Sequence, residues 1–398
     1  MTNTKRPLII TSLSAVSILL MIAVYFVPIW WVALTAPNYP EAAFPDGVRI
    51  NFHMNGVFNG CSLVVKDEII EEEALDCVHE MDTINHYVGM YPIAAGGPIE
   101  RGFSPFLITL LILMVAGFAI SDPKKRRLFL GVTFAANAVW MSMTIYTNNG
   151  LNFQNEGYLY ALMNQLDQDA NDKTLGNGTV IVADSQRALK QLKDSLAGRA
   201  VEDMEEDSAD VVTKVPPKEE LAEKQRLISQ LKETYNNDLA NQRVTEEWAG
   251  NGYQLMAWHY GKVLGRYFNN QDEIQPMVKA LRIATHVVFI GLIGAMLLLI
   301  VVGTTSQNNI IYWLMILVPM ALPIFFIIDY ASWLWWYGHT LNDMGAFAVK
   351  PFMPTVFGEG KVAQFATFSY PSIGFGIMML NSIILATIAL MRRKESLQ

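Results

Sequence analysis

Two groups of residues in this chain have the types and spacing to do chemistry, and both are built on histidine. Across the run Cys77-Val78-His79-Glu80-Met81-Asp82-Thr83-Ile84-Asn85-His86-Tyr87-Val88-Gly89-Met90, a helix would put His79, Asp82, His86 and Met90 on one face, at steps of three and four. Imidazole and thioether together suit copper, and a carboxylate such as Asp82 orients an imidazole from behind the ligands. The same stripe also fits the polar face of a structural helix bonded to neighbouring loops. His339, with Asp343 and Met344 close behind it, is the second group. Its setting in Trp333-Leu334-Trp335-Trp336-Tyr337-Gly338-His339 fits a ligand pocket, and equally an interfacial aromatic belt holding one hydrogen-bonded histidine. The expected metal contacts are therefore His79, His86, Met90 and His339, supported by Asp82 and Asp343, with copper as the ion.

Several other chemistries lack their residues. The chain has no CxxCH for covalent haem, no GxxxxGK[ST] phosphate loop and no HExxH zinc helix. Its two cysteines, Cys61 and Cys77, lie in one polar stretch. In an oxidising compartment they form a disulfide worth about 3 kcal/mol by the loop-entropy argument; a thiolate ligand pair is the alternative.

The elements that must position these groups follow from composition. Of 398 residues, 52% are hydrophobic and 17% charged, and the net charge is -8. That balance excludes a disordered chain and a basic nucleic-acid surface. Six apolar segments are long enough to cross a bilayer: 7–31, 105–121, 128–146, 283–303, 309–328 and 373–391. The first continues through Trp30-Trp31 with no small-residue cleavage site, so it reads as an uncleaved anchor with tryptophans at the outer interface. Only Asn137 and Asn381 interrupt the middle of a span, whereas a proton pump or ion-coupled transporter keeps ionisable groups at that depth.

Positive charge orients the spans. Lys5-Arg6, Lys124-Lys125-Arg126-Arg127 and Arg392-Arg393-Lys394 fall on one side, nine basic residues against Asp122 and Glu395, or +7. The stretches 38–101 and 148–279 carry -8 and -7. Both termini are then cytoplasmic and three loops are periplasmic, in a multi-pass protein of the bacterial inner membrane.

The organisation expected is an all-α integral membrane protein of six transmembrane helices, with a periplasmic loop domain and a periplasmic helical hairpin. Residues 1–34 form the anchor, and 35–104 the outer loop with the cysteines and the His/Met stripe. Helices fill 105–147, 282–328 and 372–398, the last with its basic tail, and 329–371 is an aromatic outer loop. Within 148–281, helices at 183–199 and 218–248 flank the acidic turn Glu202-Asp203-Met204-Glu205-Glu206-Asp207; Leu221, Ile228, Leu231, Tyr235 and Leu239 share one face of the second.

Two stretches carry a family resemblance. Asn85-His86-Tyr87-Val88-Gly89-Met90 resembles an Asn-His-Tyr-x-Gly-Met pattern. Tyr337-Gly338-His339-Thr340-Leu341, followed by Pro351-Phe352-Met353-Pro354, resembles Tyr-Gly-His-x-Leu and Pro-Phe-x-Pro. Both patterns are similar to those of a multi-spanning membrane protein family that accompanies the atypical, Sec-exported nitrous oxide reductases. The resemblance covers about a third of the chain and leaves the acidic hairpin without a counterpart. It implies an accessory role beside a periplasmic copper enzyme, in copper supply, maturation or electron delivery. Two further readings stand beside it: a structural or assembly subunit of a membrane complex without its own metal, and a membrane metalloenzyme with an outward-facing site. In each reading the bilayer is one partner and a protein docked on the outer loops is another.

Overall fold

The computed structural model describes residues 5–62, 65–66, 69–70, 75–176, 217–303, 309–362 and 364–396. The chain runs through α1 (Lys5–Phe26), strands β1 (Trp30–Thr35), β2 (Val48–His53) and β3 (Gly56–Asn59), a two-residue ribbon β4 (Val65–Lys66) and β5 (Ile69–Ile70), then α2 (Cys77–Tyr87). It continues through α3 (Pro98–Ala119), α4 (Pro123–Tyr146), α5 (Glu156–Gly176), α6 (Pro217–Ala240), α7 (Gly252–Leu264) and α8 (Gln271–Val301). The last elements are α9 (Ile310–Met320), α10 (Leu322–His339), β6 (Gly358–Val362), β7 (Phe365–Pro371) and α11 (Ile373–Ser396).

Among the described residues five helices are long and apolar enough to cross a membrane, and a sixth span results if α9 and α10 count as one. Those two meet at a 64° bend. Pro319 and Pro323 flank Ala321 there, and proline cannot donate the hydrogen bond that would carry the helix onward. The Ser382 hydroxyl on α11 donates to the Met320 carbonyl at 2.7 Å, so the backbone freed by the break has a partner within the bundle. Both mid-span asparagines tie helices together: Asn381 accepts from Ser17 at 2.6 Å, and Asn137 donates to the Phe106 carbonyl at 3.3 Å.

An all-α fold is not what forms. β1 sits at the centre of a five-stranded antiparallel sheet of order β3-β2-β1-β7-β6, paired on one side with the first outer loop and on the other with the third. Trp30 and Trp31, expected in the first helix, begin β1, since α1 stops at Phe26 just before Pro28. Trp30 is buried among Phe326, Tyr330, Phe357 and Phe375, and its indole N–H donates to Ser369 at 2.9 Å. In β2, Val48 and Ile50 point into the core, while Arg49 lies over the Trp31 ring on the other face.

The three long loops, 35–104, 148–281 and 329–371, meet at one end of the bundle. β1 leaves α1 and β7 enters α11, so the first and third loops share a sheet at that end. The second loop joins them through Asn155, which accepts from Asn55 at 3.0 Å, and Gln165, which donates to the Ala94 carbonyl at 2.6 Å. At the opposite end Arg392 donates to Phe118 and Ala119 carbonyls and to Ser121, capping the C-terminus of α3 with a cation. Arg126 donates to the Ile120 carbonyl in the same turn. The basic clusters of the α3–α4 turn and of the α11 tail thus lie together, away from the sheet.

Of the hairpin, α6 ends at Ala240, short of the expected 248, and buries Leu231 and Tyr235 of its expected apolar face. The other arm, 183–199, and the acidic turn lie outside the described residues. The cysteine expectation is met, with Cys61 and Cys77 joined in a disulfide across 16 residues that fastens the start of α2 beside β3. Replacing both by serine should lower the unfolding free energy by about 3 kcal/mol, read from denaturant midpoints in detergent. An unchanged midpoint would mean that the bond constrains nothing.

Candidate functional site

α2 forms where the stripe requires a helix. Asp76 caps it by accepting from the Val78 and His79 amides, and Cys77, Val78, Met81 and Ile84 bury its other face against the sheet. His79, Asp82 and His86 do share a side, as their spacing predicts, and that side meets the Arg266-Tyr267-Phe268 segment between α7 and α8. An Arg266 guanidinium nitrogen lies 3.3 Å from His79 Nδ1. The His86 ring stacks on Tyr267 at 5.0 Å and packs against Phe268 at 4.9 Å, and its burial lowers the imidazole pKa. Asp82 is buried and accepts the Ala94 amide at 3.4 Å; desolvation pushes its carboxyl up to about 7, against the pull of Arg266.

Met90 departs from the stripe. α2 closes at Gly89, with φ +82°, and the Met90 amide reaches back to the Asn85 carbonyl at 2.9 Å while that of Gly89 reaches His86. This is a Schellman closure, which turns the chain out of the helical path, and Met90 enters the core. His339 ends α10 on the exposed surface, stacked on Trp335 at 4.5 Å with Nδ1 2.8 Å from the Trp335 carbonyl; Asp343 is exposed as well. Among the described residues no three His, Cys, Asp or Glu side chains converge as a metal ion would need.

What the two resembling stretches share is a junction between the first and third outer loops. The Asn342 amide donates to the Gly89 carbonyl at 2.8 Å and that of Phe347 to Tyr87 at 3.0 Å. A Cβ on Gly89 would stand 2.6 Å from the Asn342 carbonyl oxygen, so only glycine fits. Gly338 is pressed against the Phe352 carbonyl, and the Phe352 amide donates back to Gly338 at 3.0 Å. Between Gly338 and Phe352 the side chain of Asn342, buried, donates to Glu273 on α8 at 2.8 Å, and the Tyr91 hydroxyl donates to the same carboxylate oxygen at 2.8 Å.

Two cavities open beside this junction. A polar groove of about 1130 Å³ lies between α6, α7 and the start of α8, lined by Asp238, Arg243, Glu246, Lys262, Arg266 and Arg282. A smaller, mostly apolar cleft of about 410 Å³ separates α8 from α10, with the first turn of α3 as its floor. Glu100, which lines it, and Asp329, near Glu100 on α10, were missed in the sequence. The signal was Asp329 following Phe325-Phe326-Ile327-Ile328 inside an apolar run, misplaced as the first residue of a loop.

No family model, curated protein or solved structure matches the chain.

His259, on α7, is the most deeply buried histidine among the described residues. It is buried with Nε2 3.1 Å from the Leu162 carbonyl, and desolvation, helped by the nearby Arg101 charge, pushes it down to about 3. The unfolded chain takes up this proton near pH 6.5 and the folded chain resists it, so the stability His259 confers is complete above 6.5 and drains away as pH falls toward 3. Asp82 works in the opposite direction, so the comparison must be between proteins. His259→Gln should flatten the decline in denaturation midpoint between pH 7 and 4 relative to the parent; parallel curves would show that this imidazole is not held neutral.

Proposed function

We propose that the chain is a docking accessory protein of a periplasmic copper enzyme, which it holds through its outer body without ligating copper itself. The observation that carries this reading is the placement of the stripe: its imidazoles face a guanidinium and two aromatic rings, so it packs the α7–α8 segment. A cation already beside His79 opposes a metal ion at the same face. The two resembling stretches likewise serve the junction between loops, which makes the outer body one piece.

The polar groove supplies a docking surface. Four cationic side chains line it against two carboxylates, in a chain of net charge -8. Asp238 pairs with Lys262 at 2.8 Å and Arg243 at 3.3 Å, and Glu246 with Arg282 at 3.2 Å. The excess is positive, which suits an acidic segment of a partner and steers its approach. The resemblance supports a Sec-exported nitrous oxide reductase as that partner, and the charge bias of the termini supports the periplasm as the side on which it docks.

One observation favours a metal contact instead: His86 Nδ1 is buried and has no hydrogen-bond partner among the described residues. Two measurements separate the readings. Protein purified under mild conditions should hold well under one copper per chain. In a binding assay with the purified reductase, affinity should fall with salt and drop about tenfold or more in R243E/K262E. Stoichiometric copper that is lost in His86→Ala, together with reductase binding indifferent to the groove charges, would restore the metal reading.

A further inference from the structure

The apolar cleft between α8 and α10 answers to no part of the docking reading, yet it is built like a binding site. Its walls are Met277, Leu281 and Ala284 on α8 and Trp333 and Trp336 on α10, with Tyr260 from α7 behind them. The helix flanks on either side expose Ile283, Val287, Ile324, Phe325 and Ile328, side chains suited only to lipid, so the cleft opens sideways into the bilayer. At its polar end Glu100 accepts from the Trp333 indole at 3.4 Å, and Asp329, exposed at the rim, lies close enough to act on the Glu100 carboxyl.

Charge decides what can enter. Arg101 is the cation next to Glu100, and its guanidinium already donates to the carbonyls of Ala94 at 2.8 Å and Ala95 at 3.0 Å. That guanidinium is spent on backbone carbonyls, while Oε2 of Glu100 is buried with no hydrogen-bond partner among the described residues, so the end of the cleft holds a carboxyl oxygen open to a cation. Tryptophan and tyrosine faces attract organic cations through the ring quadrupole, more strongly where water is excluded. We propose that this cleft holds the ammonium head of a membrane amphiphile, with Glu100 and Asp329 as its counter-charge and Trp333, Trp336 and Tyr260 as its aromatic wall. The acyl chains leave through the lateral opening, and a phosphate, if the amphiphile has one, stays at the interface, away from the carboxyls. A volume of about 410 Å³ accommodates the head and the first carbons of the chains.

The test uses the full chain reconstituted in nanodiscs of equimolar phosphatidylethanolamine and phosphatidylglycerol, two lipids that differ in the ammonium. Native mass spectrometry of the released protein should show phosphatidylethanolamine retained about fivefold or more over its share of the bilayer. Dodecylammonium should displace that lipid and dodecanol should not. In E100Q/D329N the enrichment should fall to parity while the Cys61–Cys77 link and the melting temperature are kept, so that loss of fold is not mistaken for loss of the site. Equal retention of both lipids by the parent protein, displacement by the alcohol as well as the amine, or undiminished enrichment in a folded E100Q/D329N would overturn the assignment.

Discussion

The pairing of β1 with β7 is the constraint on which the rest of the structure hangs. α1 and α11 pack against each other, and the strands that continue them, Trp30–Thr35 and Phe365–Pro371, pair in antiparallel register at their end of the bundle. With β2 on its other side, β1 has both edges bonded and leaves no open edge of its own. Trp30 locks the joint, because its ring fills the space between sheet and helices and its N–H finds Ser369. Residues more than 330 apart in the chain are thereby held together, and the loops 35–104 and 329–371 become one surface.

That joint sets what surrounds the α2 stripe. With α2 fastened to the sheet by its buried face and by the disulfide, its polar stripe must meet whatever lies outside, which is the α7–α8 segment. Arg266 lies beside His79, near enough to act on Asp82, and the rings of Tyr267 and Phe268 enclose His86. The third loop then closes over the end of α2 through Gly89 and Asn342. Glu273 completes the arrangement by tying Tyr91 and Asn342 to the first turn of α8, so the outer body is anchored to a transmembrane helix as well as to the sheet.

Much of the membrane part was legible in the sequence, because a 20-residue apolar run has few alternatives in lipid. The side of α2 that carries His79, Asp82 and His86 was legible too, since helical spacing alone fixes it. The sheet was not read, although Val48, Ile50 and Phe52 alternate with Arg49, Asn51 and His53 as a half-buried strand does. The apolar run of α1 passes into β1 almost without a break in hydrophobicity, and only Pro28 marks the change. The exit of Met90 from the stripe was signalled by Gly89, a residue that closes helices in the left-handed conformation. What neighbours the stripe could not be read, because Arg266 is some 180 residues away and is brought there by the packing of α7 and α8.

His86 and His259 are enclosed by packing while His339 stands on the surface. Histidine-specific hydrogen exchange, followed at the imidazole C2 position by mass spectrometry of the folded protein, tests it residue by residue. Exchange should be slow at His86 and His259 and fast at His339. Exchange at His86 as fast as at His339 would contradict it, since the stripe would then be open to solvent and free to take a metal or a ligand.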